Sequence, residues 1–110
     1  MIKICIYRDH EKNIVKYSVK GHAGYAEPGE DIVCAAISIL AQTTLLALNE
    51  LTSIHVTYEM DDGWLYCELP EHIPDEEREK ANIILNTMII GISGTQGMYG
   101  DFIDLRDEEV

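Results

Sequence analysis

The chain is short of basic residues, and this shortage narrows the classes of partner it can have. Its 110 residues include 8 lysines and arginines against 20 aspartates and glutamates, for a net charge of −12. A chain this acidic repels nucleic-acid backbones and anionic membranes and attracts basic partners. We therefore expect no direct nucleic-acid contact and no membrane. Solubility alone also accounts for the charge, so the charge does not name a partner.

Cysteines are few and scattered, which argues against a disulfide framework. The three cysteines are Cys5, Cys34 and Cys67, an odd number without a Cys-x-x-Cys pair. This spacing disfavours structural disulfides and a redox dithiol. We also expect no secretory signal, because residues 1–6 alternate as in a first strand and charges follow. We expect a reducing compartment, the cytoplasm.

Length and hydrophobic patterning predict one domain, residues 1–110, of the α+β class with the order ββαββαβ. A mixed or antiparallel sheet would carry two helices, one of them central and strongly apolar. Polar or glycine-containing turns at residues 8–13 and 61–63 predict two hairpins. The expected strands span about Ile2 to Tyr7, Ile14 to Lys20, Ser53 to Met60, Trp64 to Leu69 and Asp101 to Arg106.

The first helix is expected from about Asp31 to Leu51, and it carries no charge from Ile32 to Asn49. That run is long enough to cross a bilayer. Polar residues such as Ser38 and Gln42 interrupt it, however, and strands flank it closely. We interpret it as the buried centre of the domain, or as a helix that a partner chain partly covers.

The second helix is expected to begin at Pro74, with acidic residues in its first turn. Glycines at positions 91, 94, 97 and 100 are expected to loosen its end, and residues 107–109 to form a solvated tail. Its apolar residues follow helical spacing and predict a one-sided stripe: Ala81, Ile84, Leu85, Met88, Ile89 and Ile92.

Residues 21–36, GHAGYAEPGEDIVCAA, place a histidine after a strand and a cysteine where a helix begins. With Asp31 as the N-cap, Cys34 is the third helical residue, where free N–H groups and the helix dipole favour a thiolate. His22 lies twelve residues earlier, and the glycines between them let the loop fold back. Histidine can take a proton from a thiol and return one to a leaving group. The pair is a candidate catalytic dyad for chemistry at a carbonyl.

Core packing is the competing interpretation, since cysteine is among the most buried residue types. It is the favoured interpretation for Cys5 and Cys67, which lie in predicted strands. A metal site is disfavoured, because His22 and Cys34 supply only two ligands. The remaining histidines are expected at the surface: His10, His55 and His72.

The loop before the cysteine offers further candidate residues. Asp31 is expected to cap the helix, although it could instead orient His22 as the third member of a triad. Acidic side chains in the loop suit a basic peptide, with a solvated loop as the simpler alternative. The candidate substrate-contacting residues are Gly24, Tyr25, Glu27, Gly29 and Glu30.

Residues 21–38, GHAGYAEPGEDIVCAAIS, resemble the signature of the ribosomal-processing cysteine protease family, Prp. The resemblance implies a cytoplasmic endopeptidase, without a cofactor, that removes a short N-terminal extension from a large-subunit ribosomal protein. It assigns the family's cysteine to Cys34, its histidine to His22 and its acidic residue before the cysteine to Asp31. It also implies a homodimer with a mobile loop, residues 24–30, over the active site.

Two other functions remain open from the residues alone. A non-catalytic acidic module could dock on ribosomal proteins during ribosome assembly, and its function would survive the Cys34→Ala substitution. A thiol-based redox sensor would oxidise Cys34 reversibly and cleave no peptide.

Overall fold

A computed structural model describes residues 1–21, 28–61 and 63–110, with the backbone alone for residues 28–31. The order is ββαββαβ, as predicted. The elements are β1 (Ile2–Arg8), β2 (Ile14–Lys20), α1 (Pro28–Leu51), β3 (Thr57–Asp61), β4 (Trp64–Glu68), α2 (Asp75–Tyr99), a 3₁₀ turn (Gly100–Phe102) and β5 (Ile103–Glu109).

The strands form one mixed sheet in the order β3-β4-β2-β1-β5. All neighbouring pairs are antiparallel except β1 and β5, which run parallel. Side chains alternate between the two faces of a strand, so every second residue points to the same layer. In β1 this alternation buries Ile2, Ile4 and Ile6, each at most 1% exposed. The predicted α+β class with a mixed sheet and two helices is confirmed.

The buried face of the sheet and both helices form one hydrophobic core. Tyr17 of β2 is fully buried, and its hydroxyl donates a 3.0 Å hydrogen bond to the Ala41 carbonyl in α1. In α2 the predicted stripe is confirmed by its four buried members. Those four are Ala81, Leu85, Met88 and Ile92.

Helix α1 is apolar on all sides but buried on only one. Val33, Ile37 and Leu48 are fully buried, whereas Ile32 and Ile39 are 63% and 61% exposed. Its segment Ile32–Leu51 has the length and composition of a membrane span, yet one side of it packs into the core. The helix is therefore not buried on all sides, and its cover by a partner chain stays a prediction.

Several predicted boundaries were wrong. Helix α1 begins at Pro28, three residues before the expected N-cap, because proline is well suited to the first helical position. Strand β3 begins at Thr57 rather than Ser53, since its partner β4 ends at Glu68, which pairs with Thr57. Helix α2 continues through its glycines to Tyr99.

The C-terminal segment also departs from its prediction. Residues 107–109 belong to β5, which pairs with the whole of β1 up to the register Arg8 with Glu109. The Val110 N–H then donates a 2.8 Å hydrogen bond to the Arg8 carbonyl. Backbone pairing with an available edge strand orders this acidic stretch even though its side chains stay exposed.

Candidate active site

Cys34 lies on α1 at the wall of a cavity of about 280 Å³. Its side chain is 7% exposed and packs at the edge of the core. Because the helix begins at Pro28, Cys34 is its seventh residue and not, as predicted, the third. Only the first four N–H groups of a helix lack an internal partner. The Cys34 N–H is therefore not one of the free groups, although helical side chains lean back toward the N-terminus.

Gly21, the residue that follows β2, lies close to the Cys34 thiol. A Cβ atom built on Gly21 would lie 3.1 Å from the Cys34 Sγ and 3.1 Å from the Ile2 Cγ1. The Gly21 N–H also donates a 2.9 Å hydrogen bond to the Gly63 carbonyl in the turn between β3 and β4. The chain is thus anchored beside the thiol at the residue that immediately precedes His22.

Most of the predicted loop residues lie outside the described part of the chain. They are His22, Gly24, Tyr25 and Glu27. Gly29, Glu30 and Asp31 lie in the first turn of α1 and not in a loop or at an N-cap, which corrects the prediction. The distance between His22 and Cys34 and the role of Asp31 stay predictions.

The cavity at Cys34 is built from two sides. Helix α1 contributes Ser38 and Gln42, which lie one and two turns beyond Cys34 on the same helix face. The β3–β4 hairpin contributes Met60, Asp61 and Trp64. The helical pair could have been found from its i+4 and i+8 spacing. The hairpin residues carried no comparable signal, because only the tertiary structure brings them to the cysteine.

Comparison with known proteins identifies the family of this chain. The family model for the cysteine protease Prp matches residues 1–104. The chain belongs to this family. It is therefore a cysteine protease, as its sequence signature indicated.

Individual members of the Prp family match over nearly the whole chain. The ribosomal processing cysteine protease Prp of Bacillus subtilis is 32% identical over 103 residues, covering 92% of each chain. The Staphylococcus aureus protein of the same name is 29% identical over 106 residues, covering 96% of this chain and 98% of the relative.

Solved structures of the Prp family show the same fold. The S. aureus protease with a substrate peptide superposes with a TM-score of 0.85 at 28% identity, covering 97% of this chain and 99% of that one. The same protease with a covalently linked product peptide gives a TM-score of 0.81 at the same identity and coverage.

The other two cysteines differ from Cys34 in their surroundings, and all three are free thiols. Cys67 is fully buried, as predicted, and burial raises the pKa of its thiol to about 11, against a smaller lowering by the Tyr17 hydroxyl. It is therefore protonated and unreactive near neutral pH. Cys5 was predicted in the core but is partly exposed. It alternates with buried Ile4 and Ile6, so its side chain points to the other face of the sheet.

The remaining histidines lie at the surface, apart from the Cys34 cavity. His10, His55 and His72 are exposed, as expected. Within residues 1–21, 32–61 and 63–110, no three histidine, cysteine or acidic side chains cluster in a way that could hold a metal ion.

Proposed function

We propose that this cysteine protease removes the N-terminal extension of a large-subunit ribosomal protein with a Cys34–His22 dyad. The observation that supports the dyad is that Gly21 lies close to the Cys34 Sγ, since a Cβ built on Gly21 would lie 3.1 Å from that sulfur. Gly21 is the residue that precedes His22 in the sequence. The relatives from B. subtilis and S. aureus are ribosomal processing proteases by name, which supports the substrate class.

The reaction then follows from the two side chains. His22 takes the thiol proton, and the Cys34 sulfur attacks the scissile carbonyl carbon to form a tetrahedral oxyanion. Collapse of this intermediate breaks the C–N bond, and the leaving amine takes the proton from His22. A thioester remains on Cys34. Water attacks the thioester carbonyl, and His22 accepts the proton of that water. The C–S bond then breaks, the carboxylic product leaves, and the Cys34 sulfur takes the proton from His22, which restores the thiol.

The cavity beside Cys34 suits an apolar side chain of the substrate. Val19, Ala41, Met60 and Leu65 give it mainly aliphatic walls, and Trp64 adds an aromatic one. Cavities of a few hundred Å³ are typical of small-ligand and side-chain sites. We assign it to the substrate side chain next to the cleaved bond.

Charge supports the proposed substrate and free thiols support the proposed compartment. The chain's net charge of −12 attracts a basic ribosomal protein and speeds its association at low salt. The three free thiols fit a reducing compartment, which we take to be the cytoplasm.

The test is intact-mass spectrometry of a basic large-subunit ribosomal protein that carries an N-terminal extension. We expect one defined cut by the parent chain, none by its Cys34→Ser variant, and none in the same substrate without the extension. An uncut substrate with the folded parent chain would overturn the proposed processing of this ribosomal protein and favour the binding module. Reversible oxidation of Cys34 without a cut would favour the redox sensor.

We also propose that the chain is a homodimer joined through the uncovered side of its helices. Ile32 and Ile39 of α1 lie seven residues apart, as do Ile83 and Ile90 of α2, and all four are at least 61% exposed. A seven-residue spacing keeps side chains on one helix face. Exposed apolar faces of this kind are typical of association surfaces.

Light scattering on a size-exclusion column tests the dimer. We expect the mass of two chains for the parent and of one chain for Ile39→Asp, because a buried unpaired carboxylate is costly at an interface. Val110→Asp is the control, since Val110 is similarly exposed at 62% but lies at the chain end. A monomeric parent or a dimeric Ile39→Asp would contradict the proposal.

A further inference from the structure

A second cavity, of about 300 Å³, lies between α1 and the edge strand β3. We propose that it extends the substrate site, holding an apolar side chain of the peptide two to four residues from the one in the Cys34 cavity. This inference rests on the proposed peptidase function. No residue of the second cavity takes part in the chemistry of the dyad.

The two cavities are neighbours. Gln42 and Met60 line both of them, so these two side chains stand between the first cavity and the second. From there the second cavity follows α1 through Leu45 to Asn49. A peptide whose cleaved bond lies at Cys34 therefore meets this cavity as the next depression along the helix.

The floor of the second cavity is an apolar surface that the core leaves uncovered. Met60 and Tyr58 pair with Leu65 and Cys67 of β4, both buried, and opposed residues of an antiparallel pair point to the same face. Met60 and Tyr58 thus point to the helix side of the sheet. They are nevertheless 52% and 55% exposed, so the core leaves about half of each side chain uncovered. An occupant that covers them gains the free energy of apolar burial.

Strand β3 also offers the backbone that an extended peptide needs. β3 lies at one edge of the sheet. In the part of the chain that the structure describes, it pairs with β4 alone. A peptide can add to such an edge as a further strand, with main-chain hydrogen bonds giving affinity and alternate side chains filling pockets. In an extended peptide, residues two apart point to the same face of the sheet. One such side chain can therefore enter the Cys34 cavity while another enters the second cavity.

The lining of both cavities favours a substrate peptide over an anionic ligand. Of the described residues, those that line the two cavities include no lysine or arginine. Asp61 borders the first cavity, and one histidine, His55, borders the second. The amides of Gln42 and Asn49 are neutral groups that can bond a peptide backbone. This chemistry suits an uncharged, apolar stretch in an otherwise basic substrate.

The proposal predicts that Tyr58 and one substrate side chain act as a pair. The probe is a synthetic peptide spanning the cleavage junction found by mass spectrometry, together with its single alanine variants. We expect one apolar position, two to four residues from the side chain next to the cleaved bond, whose change to alanine lowers kcat/KM about tenfold for the parent chain. Tyr58→Ala should lower kcat/KM for the full peptide similarly, and the double change should cost no more than either alone.

Tyr99→Ala is the matched control, an equal truncation of a tyrosine that is 36% exposed at the end of α2. It should leave the whole peptide series unchanged. If Tyr58→Ala lowers kcat/KM by the same factor for every peptide in the series, or lowers it for none, the extended site is overturned. The protease function would be unaffected by that result. A change in oligomeric mass with Tyr58→Ala would assign the second cavity to contact with a second copy of the chain. That result would also overturn the extended substrate site. No cleavage of any peptide by the parent would overturn the proposed function and this inference together.

Discussion

Cys34→Ser and His22→Ala should each lower kcat/KM for the substrate by about 10³- to 10⁴-fold. Serine is a far weaker nucleophile than a thiolate when its partner is a lone histidine. Alanine at position 22 removes the group that receives and returns the proton. Both effects are on the chemical step, so substrate binding by the two variants should stay close to that of the parent.

The double variant distinguishes a dyad from two independent residues. Groups that act as a unit lose their joint effect when either is removed, so the double variant should be about as slow as the slower single one. If the fold-loss in kcat/KM of the double variant equals the product of the two single losses, His22 and Cys34 act independently. That result would contradict the dyad. Kinetics with the synthetic peptide, and binding by fluorescence anisotropy, provide both readouts.

Two matched controls exclude a general loss of thiols or imidazoles. Cys5 is a partly exposed cysteine on the other face of the sheet, and His10 is an exposed histidine. Cys5→Ser and His10→Ala should therefore retain the parent's kcat/KM. If Cys5→Ser abolished cleavage and Cys34→Ser did not, the nucleophile would be misassigned.

Gly63→Ala should lower the free energy of unfolding by about 3 kcal/mol. Gly63 has a φ of +74°, in the left-handed region that alanine rarely adopts. Its added Cβ would also collide with the Gly21 carbonyl oxygen. Relief of that collision would move the hairpin turn away from Gly21 and break the 2.9 Å bond from the Gly21 N–H to the Gly63 carbonyl.

The same change should lower kcat/KM in the variant that remains folded. The broken bond is the one that anchors the chain beside Cys34, and Gly63 itself lines the Cys34 cavity. Small displacements of reacting groups are costly to the rate. Urea denaturation and peptide kinetics measure the two effects separately.

Gly94→Ala is the control for glycine replacement as such. A Cβ on Gly94 would meet nothing within 4 Å, and the residue lies inside α2. Alanine is the better helix former, so this variant should be more stable by about 0.5 to 1 kcal/mol. Full stability of Gly63→Ala would show that the turn relaxes without cost and would contradict the structural argument.

The sequence by itself determined the kinds of element, their order and the family. Local signals carry this information: alternation buries Ile2, Ile4 and Ile6 on one face, and helical spacing marks the stripe of α2. The motif around Cys34 was sufficient to identify the family, because a motif is recognised from its residue types and their spacing along the chain. None of these inferences requires knowledge of which distant segments meet.

Only the tertiary structure decided where the elements end and what surrounds the cysteine. The start of β3 and the ordering of residues 107–109 depend on which strands pair and in which register. The helix start at Pro28 moved Cys34 from the first turn into the second. Met60 and Trp64 reach the Cys34 cavity from a hairpin far along the chain. These outcomes follow from contacts between residues distant in sequence, and hydrophobic periodicity does not encode such contacts.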